Sequence, residues 1–154
     1  MNPYLYILMR EDLPSMSVGQ AMAQASHASN QMMFLAKSGN ERQLELAQQW
    51  EKECVGFGTA IVLATSLRSI EIFGDCSKIN GVDDDVLSGI VTDPTYAYKT
   101  TSDIANLIPD SVDTAPRLTR NGNTKLYRRE VTCGFVLLDK DKYPDFMSGL
   151  QLWK

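Results

Sequence analysis

The chain has 154 residues, of which 44% are apolar and 22% charged, and a formal net charge of -4; this composition excludes a wholly disordered chain and fits one globular domain. Its apolar runs, such as Tyr4 to Met9 and Ala60 to Ala64, fall far short of the roughly 20 residues that cross a bilayer, and the N-terminus lacks the basic start and apolar length of a secretory signal, so a cytoplasmic protein is expected. Three cysteines without a Cys-x-x-Cys pair and a single histidine remove the usual zinc patterns; no metal or cofactor is expected, and Cys54, Cys76 and Cys133 read as small buried hydrophobes.

Tyr4 to Met9 reads as a buried strand that ends in the charged turn Arg10-Glu11-Asp12-Leu13-Pro14. Ser17 and Gln20 have the spacing of a capping box, and the helix they open runs toward Lys37. Val18, Ala21, Met22, Ala25, Ser29, Met32, Met33 and Ala36 share one broad face of it. An opposite polar stripe holds Gln20, Gln24, His27 and Gln31. Ser38-Gly39-Asn40 breaks that helix, and Glu41 to Glu53 reads as a second, mostly polar surface helix with Leu44, Leu46, Ala47 and Trp50 as its apolar positions.

Thr59 to Thr65 is a β-rich run followed by a helical pattern from Ser66 to about Asn80, then by a loop through Asn80-Gly81 and Asp83-Asp84-Asp85. Val86 to Thr92 returns as a short strand ending at Asp93-Pro94. Strand, helix and strand in that order predict a crossover within an α/β fold whose sheet is small, mixed and largely parallel, flanked by helices. Tyr96 to Arg128 is polar and without period, which predicts a long insertion at about 98–128, tipped by a hairpin. The alternation from Arg129 to Asp139 predicts a final strand. Tyr143 to Trp153 is undecided.

Charge is unevenly spread. Arg117, Arg120, Lys125, Arg128 and Arg129 fall in one stretch that contains no acid, with Tyr127 among them. Guanidiniums and ammoniums there suit phosphates, and the phenol ring suits an unpaired base. The bland alternative is a solvated loop. Arg10 and Asp12 are spaced to pair and close the first strand–helix turn.

Arg10-Glu11-Asp12-Leu13, then Met16 to Gln20 and Gln24-Ala25-Ser26-His27-Ala28, closely resemble the N-terminal signature of type II peptidyl-tRNA hydrolases, in which Arg-x-Asp-Leu leads into Met-Ser-x-Gly-Lys and a Gln-x-x-His-Ala turn. Ile90-Val91-Thr92-Asp93 resembles the family's strand ending in Asp-Ala-Gly, and Val131-Thr132 with Phe135-Val136 its last strand. The resemblance covers about 1–95 and 129–140. Two positions depart from it: Gln20 stands where the family has lysine, and Pro94-Thr95 stands in place of Ala-Gly.

The resemblance implies hydrolysis of the ester joining a peptide to the tRNA 3′ ribose, with tRNA as partner and no redox cofactor. Such a site orients a water, accepts its proton and stabilises the oxyanion. The implied catalytic residues are Asp93 on the water, His27 assisting from the facing helix, and Gln20 and Thr132 as hydrogen-bond donors. Gln24 and Thr95 would line the substrate side, and Arg117, Arg120, Lys125, Tyr127, Arg128 and Arg129 would hold tRNA. This places the His27 imidazole and the Asp93 carboxylate in one cleft. A rival reading keeps the fold and takes Gln20 as the mark of lost catalysis, leaving an RNA- or protein-binding module; a homodimer fits either reading. An ordinary esterase is disfavoured by the lack of a Gly-x-Ser-x-Gly elbow.

Overall fold

The computed structural model describes residues 1–13, 15–73, 86–98, 115–118 and 124–154, with the backbone alone for 115–118, 124–126 and 146. The expectations for Cys76, Asn80-Gly81, Asp83–Asp85 and Arg120 lie outside the described residues.

Strand β1 (Pro3–Arg10) is buried along nearly its whole length, as a continuous apolar run requires when both faces of a sheet are covered. It pairs in parallel with β2 (Thr59–Thr65), from Tyr4 opposite Thr59 to Arg10 opposite Thr65. On its other side it pairs antiparallel with β5 (Thr124–Asp139), which pairs antiparallel with β3 (Leu87–Tyr98). The order is β2-β1-β5-β3, so β1, β2 and β3 run one way and β5 runs against them. This is the mixed, helix-flanked α/β sheet that the element order implies.

Helix α1 (Val18–Ser38) opens with a complete capping box. Ser17 Oγ accepts from the Gln20 amide, and Gln20 Oε1 accepts from the Ser17 amide. Helix α2 (Glu41–Lys52) has its own box through Asn40 and Gln43 and buries Leu46, Ala47 and Trp50. Both helices cover one sheet face, where Leu5, Ile7, Met9, Phe135 and Leu137 meet Ala28, Met32 and Leu46. On the opposite face, Leu8, Val136 and Leu138 pack with Met147 and with Ile70 of α3 (Leu67–Phe73). Burying each such side chain is worth roughly 1.5–3 kcal/mol.

The buried stripe of α1 differs from the one expected. Ala21, Gln24, Ala28, Met32 and Ala36 face inward, whereas Val18 and Met22 are 64% and 69% exposed. The inward face is turned toward the glutamine stripe because β3 offers carbonyls and a carboxylate that amides can satisfy. Cys54 also departs from expectation: it is exposed, while Cys133 is buried. It sits in a tight turn where Cys54, Val55, Gly56 and Gly58 all adopt positive φ, and such a turn projects its side chains outward.

The strand expected to end at Asp93-Pro94 continues to Tyr98. The last strand begins at Thr124 rather than Arg129, and β4 (Ala115–Leu118) pairs with its start, Arg117 opposite Lys125. Tyr127 pairs with Ala97 on one side and Ala115 on the other, so β4 takes up, beyond β1, the same flank of β5. Pairing, not composition, makes these polar segments strands. The undecided C-terminal segment joins the β2 edge: the Ala64 amide donates to Gln151 O at 2.8 Å and the Trp153 amide to Val62 O at 3.0 Å.

Candidate active site

The β3–β5 ladder shifts register twice, between Val91 and Thr92 and between Asp93 and Tyr96. In the first shift Thr132 is the extra residue of β5; in the second, Pro94 and Thr95 bulge from β3. Bulges re-aim side chains, and these two flank Asp93. Thr132 and Cys133 consequently both turn toward α1. The Thr132 hydroxyl, wholly buried, donates to Gln24 Oε1 at 2.7 Å, and Gln24 Nε2 donates to Asp93 Oδ2 at 2.7 Å. The other carboxylate oxygen, Asp93 Oδ1, accepts from the Thr95 amide at 2.8 Å and from the Thr95 hydroxyl at 3.4 Å.

Asp93 is therefore clamped at both oxygens while staying half-buried. An ionised carboxylate has about four acceptor positions, so capacity remains to accept from a water.

Glutamines from α1 hold β3 along its length. Gln31 Nε2 donates to Ile90 O at 3.1 Å and Gln20 Nε2 to Ala97 O at 2.8 Å, either side of the Gln24 contact. Gln20 is engaged at both ends, since its Oε1 also accepts from the Ser17 amide and hydroxyl. The fourth residue of the stripe, His27, is exposed. Asp93 takes its hydrogen bonds from Gln24 and Thr95, not from the imidazole.

Beside this cluster lies a second one. Arg10 is 7% exposed; its Nε donates to Asp12 Oδ1 at 2.9 Å, and its Nη1 donates to Glu130 Oε1 and Val131 O, both at 2.9 Å. Glu130 Oε2 accepts from the Tyr98 hydroxyl at 2.8 Å and lies 3.7 Å from Arg128 Nε. The Arg10–Asp12 pair was legible in the sequence; Glu130 and Tyr98 were not, because they enter through strand pairing across the unperiodic stretch. Burial pushes the Tyr96 phenol up to about 12, with Arg10 pulling it down and the Glu130 and Asp93 carboxylates adding to the rise. Tyr96 thus couples the two clusters.

Of the residues expected to hold tRNA, Tyr127 and Arg129 occupy one parity of β5 and Arg128 the other, so they face opposite sides of the strand. Arg129 is exposed and Tyr127 and Arg128 are half-buried. Arg117 and Lys125 are register partners in the β4–β5 hairpin. Among the described residues no group of three or more His, Cys, Asp or Glu side chains could hold a metal ion, and no described helix is long and apolar enough to cross a membrane.

A family model for peptidyl-tRNA hydrolase PTH2 matches residues 4–89, more than half of the chain. The chain belongs to this family. The PTH2 match takes in Gln20, Gln24 and His27 and stops short of Asp93, Thr95 and Thr132. No curated protein and no solved structure matches the chain. Family membership carries peptidyl-tRNA hydrolysis at family level and rests on the segment that supplies β1, α1, α2, β2 and α3.

Proposed function

We propose that this chain, acting as one domain, hydrolyses the ester bond of peptidyl-tRNA, releasing peptide and free tRNA. The observation that carries this reading is the clamped carboxylate: Asp93, between two bulges, has both oxygens held by Gln24 and Thr95 and keeps acceptor capacity for a water. A carboxylate fixed in this way orients the water and takes its proton as the water oxygen bonds to the ester carbonyl carbon. The C–O bond to the ribose then breaks, and the ribose oxygen leaves with a proton that returns from Asp93. The Thr95 hydroxyl, weakly held at 3.4 Å, turns to donate to the oxyanion. His27, exposed one helical turn beyond Gln24, assists from the substrate side. The basic β4–β5 hairpin, with Tyr127 and Arg129, holds the tRNA in a cytoplasmic setting.

Gln20 favours a second reading. Both ends of its amide are committed, to Ser17 and to Ala97, at the position where the resemblance implies a lysine. A neutral donor is about half as strong as a charged one, and a committed one is weaker still. On this account the chain binds RNA or protein without turnover.

Release of tRNA from an N-acetyl-aminoacyl-tRNA decides between them. The hydrolase reading expects turnover by the wild type and a loss of roughly a hundredfold or more in Asp93→Asn. Tight tRNA binding by folded wild type with no ester cleavage overturns it.

A further inference from the structure

The sheet has an outer edge at β2 and another at β3, and the two are treated differently. Along β2 the chain covers itself, since the Ala64 amide donates to Gln151 O and the Trp153 amide to Val62 O. Among the described residues no strand pairs with the outer side of β3. Which of its backbone groups face that side follows from the register. The Glu11 amide donates to Thr65 O, so odd-numbered residues of β1 turn toward β2 and even-numbered ones, Leu8 among them, toward β5. Leu8 pairs with Gly134, which therefore turns toward β1 and away from its other partner, Ile90. Ile90 thus faces outward, and so do Val86, Ser88 and Thr92 in alternation with it. The second register shift puts one extra residue into β3, and Ala97 takes the outward place beyond it.

Three of these outward carbonyls are taken by glutamine. Gln43 Nε2 donates to Val86 O at 3.0 Å, Gln31 Nε2 to Ile90 O at 3.1 Å and Gln20 Nε2 to Ala97 O at 2.8 Å. An open edge offers backbone groups to any second strand, and proteins guard such edges with charge, with proline or with a covering segment. Residues 87–92, Leu-Ser-Gly-Ile-Val-Thr, contain neither a charge nor a proline, and short uncharged segments of this kind pair with their own copies. We propose that the glutamine amides are the guard of this edge: they keep β3 from pairing antiparallel with β3 of a second copy of the chain. In such a two-fold pair each copy would offer the same carbonyls to the other's amides, and the glutamines take the acceptors that the second strand needs. The same bonds also fasten α1 and α2 to the sheet. Fastening and guarding are separable, because loss of the first lowers stability alone, whereas loss of the second changes the mass of the particle.

The test uses the full chain. Gln31→Met keeps the length of the side chain and removes its donor, and it leaves both capping boxes and the Gln24 contact to Asp93 in place. In sedimentation velocity over a range of concentrations, the variant should associate at roughly tenfold lower concentration than the wild type, because each copy regains across the new pair the hydrogen bond it lost. Gln31→Met/Gln43→Met should associate at lower concentration still. Hydrogen exchange followed by nuclear magnetic resonance locates the contact: the outward amides of Ile90 and Thr92 should gain protection as the concentration of the variant rises. Gln31→Asn, too short to reach Ile90 O, makes the same test with a milder change to α1, and far-ultraviolet circular dichroism confirms the fold of each protein. Folded variants that melt earlier yet keep the wild-type mass at every concentration overturn the proposal and leave the glutamines as fasteners only. Association that leaves Ile90 and Thr92 exchanging at the wild-type rate overturns it as well, since the contact then lies elsewhere.

Discussion

Gln24 holds Asp93 from the interior: its Nε2 donates to Asp93 Oδ2 at 2.7 Å, and its own carbonyl is fixed by the buried Thr132 hydroxyl at 2.7 Å. Asp93 decides which way the amide points, because a carboxylate only accepts and must face the glutamine nitrogen, and the oxygen is then left for the Thr132 hydroxyl, which turns to donate. The chain Thr132–Gln24–Asp93 therefore runs donor to acceptor in one direction.

Its energetic coupling is measurable. Gln24→Leu leaves the Thr132 hydroxyl with only Val91 O at 3.4 Å, and Thr132→Val leaves the Gln24 carbonyl without its donor. Each single change is expected to cost about 1–3 kcal/mol. The double variant should cost less than the two together by about 1 kcal/mol, because neither orphan then remains. Urea unfolding of the four proteins gives the cycle, and strict additivity would show that the two contacts are energetically separate.

Acid should loosen the Arg10 cluster. Burial alone would raise the Asp12 carboxyl, but hydrogen bonds from Arg10 and the Leu67 amide outweigh it and hold the group below the usual carboxylate range. A folded pKa below the unfolded one gives stability that is full above the unfolded value, near 3.8, and is lost as pH falls through the folded value. Arg10 is itself raised above its ordinary value and stays charged throughout. Melting curves from pH 7 down to about 2 should show a steeper fall below pH 4 for the wild type than for Asp12→Asn. The Asp12 side chain is 42% exposed, so solvent screening keeps the difference small. Parallel curves for the two proteins would remove Asp12 from the acid limb.

Most of the architecture was legible because it follows from local rules. The apolar run of β1, the capping box at Ser17 and the break at Ser38-Gly39-Asn40 depend on residues that are neighbours in the chain. What escaped depends on distant partners. A 100° wheel puts Val18 and Met22 on the apolar face of α1, yet Gln24 is the residue buried, because β3 brings Asp93 and backbone carbonyls to that side. Tyr96 and Tyr98 alternate correctly for a strand, but Pro94 and Thr95 interrupt the period, so the continuation through a bulge was hidden. Asp93 was singled out through resemblance; the clamp on both its oxygens needed the fold.

The cysteines should differ sharply in reactivity. Cys54 is exposed on a positive-φ turn, while burial pushes the Cys133 thiol up to about 12 and leaves almost no thiolate at neutral pH. Iodoacetamide treatment of native protein, followed by peptide mapping, should label the Cys54 peptide and spare the Cys133 peptide until denaturant is added. Native labelling of Cys133 would mean that the β5–α1 contact opens easily.

Arg128 and Arg129 are adjacent in sequence but should contribute unequally to tRNA binding. Arg128 lies beside Glu130, whose other oxygen is taken by Arg10, whereas Arg129 is exposed on the opposite face. Each phosphate neutralised adds about -0.7 (single-stranded) to -0.9 (duplex) to the slope of log affinity against log salt. Arg129→Ala should shallow the slope by about that amount, and Arg128→Ala should shallow it less. Equal slopes for both variants would place the two guanidiniums on the same phosphate surface.

Gln20→Lys separates stability from chemistry at the position where the resemblance implies a lysine. Gln20 Oε1 accepts from the Ser17 amide at 3.1 Å, and its Nε2 donates to Ala97 O at 2.8 Å. A lysine can donate to Ala97 but has no acceptor for Ser17, so half of the capping box is lost, at a cost of about 0.5–2 kcal/mol. The gain is a charged donor, worth about 1–3 kcal/mol more than a neutral one when it meets a developing anion, or roughly tenfold to a hundredfold in rate. The variant should therefore melt earlier and cleave N-acetyl-aminoacyl-tRNA faster. If it melts earlier and cleaves no faster, the residue at this position serves α1 and β3 alone, and Thr95 on the β3 bulge donates to the oxyanion without help from it.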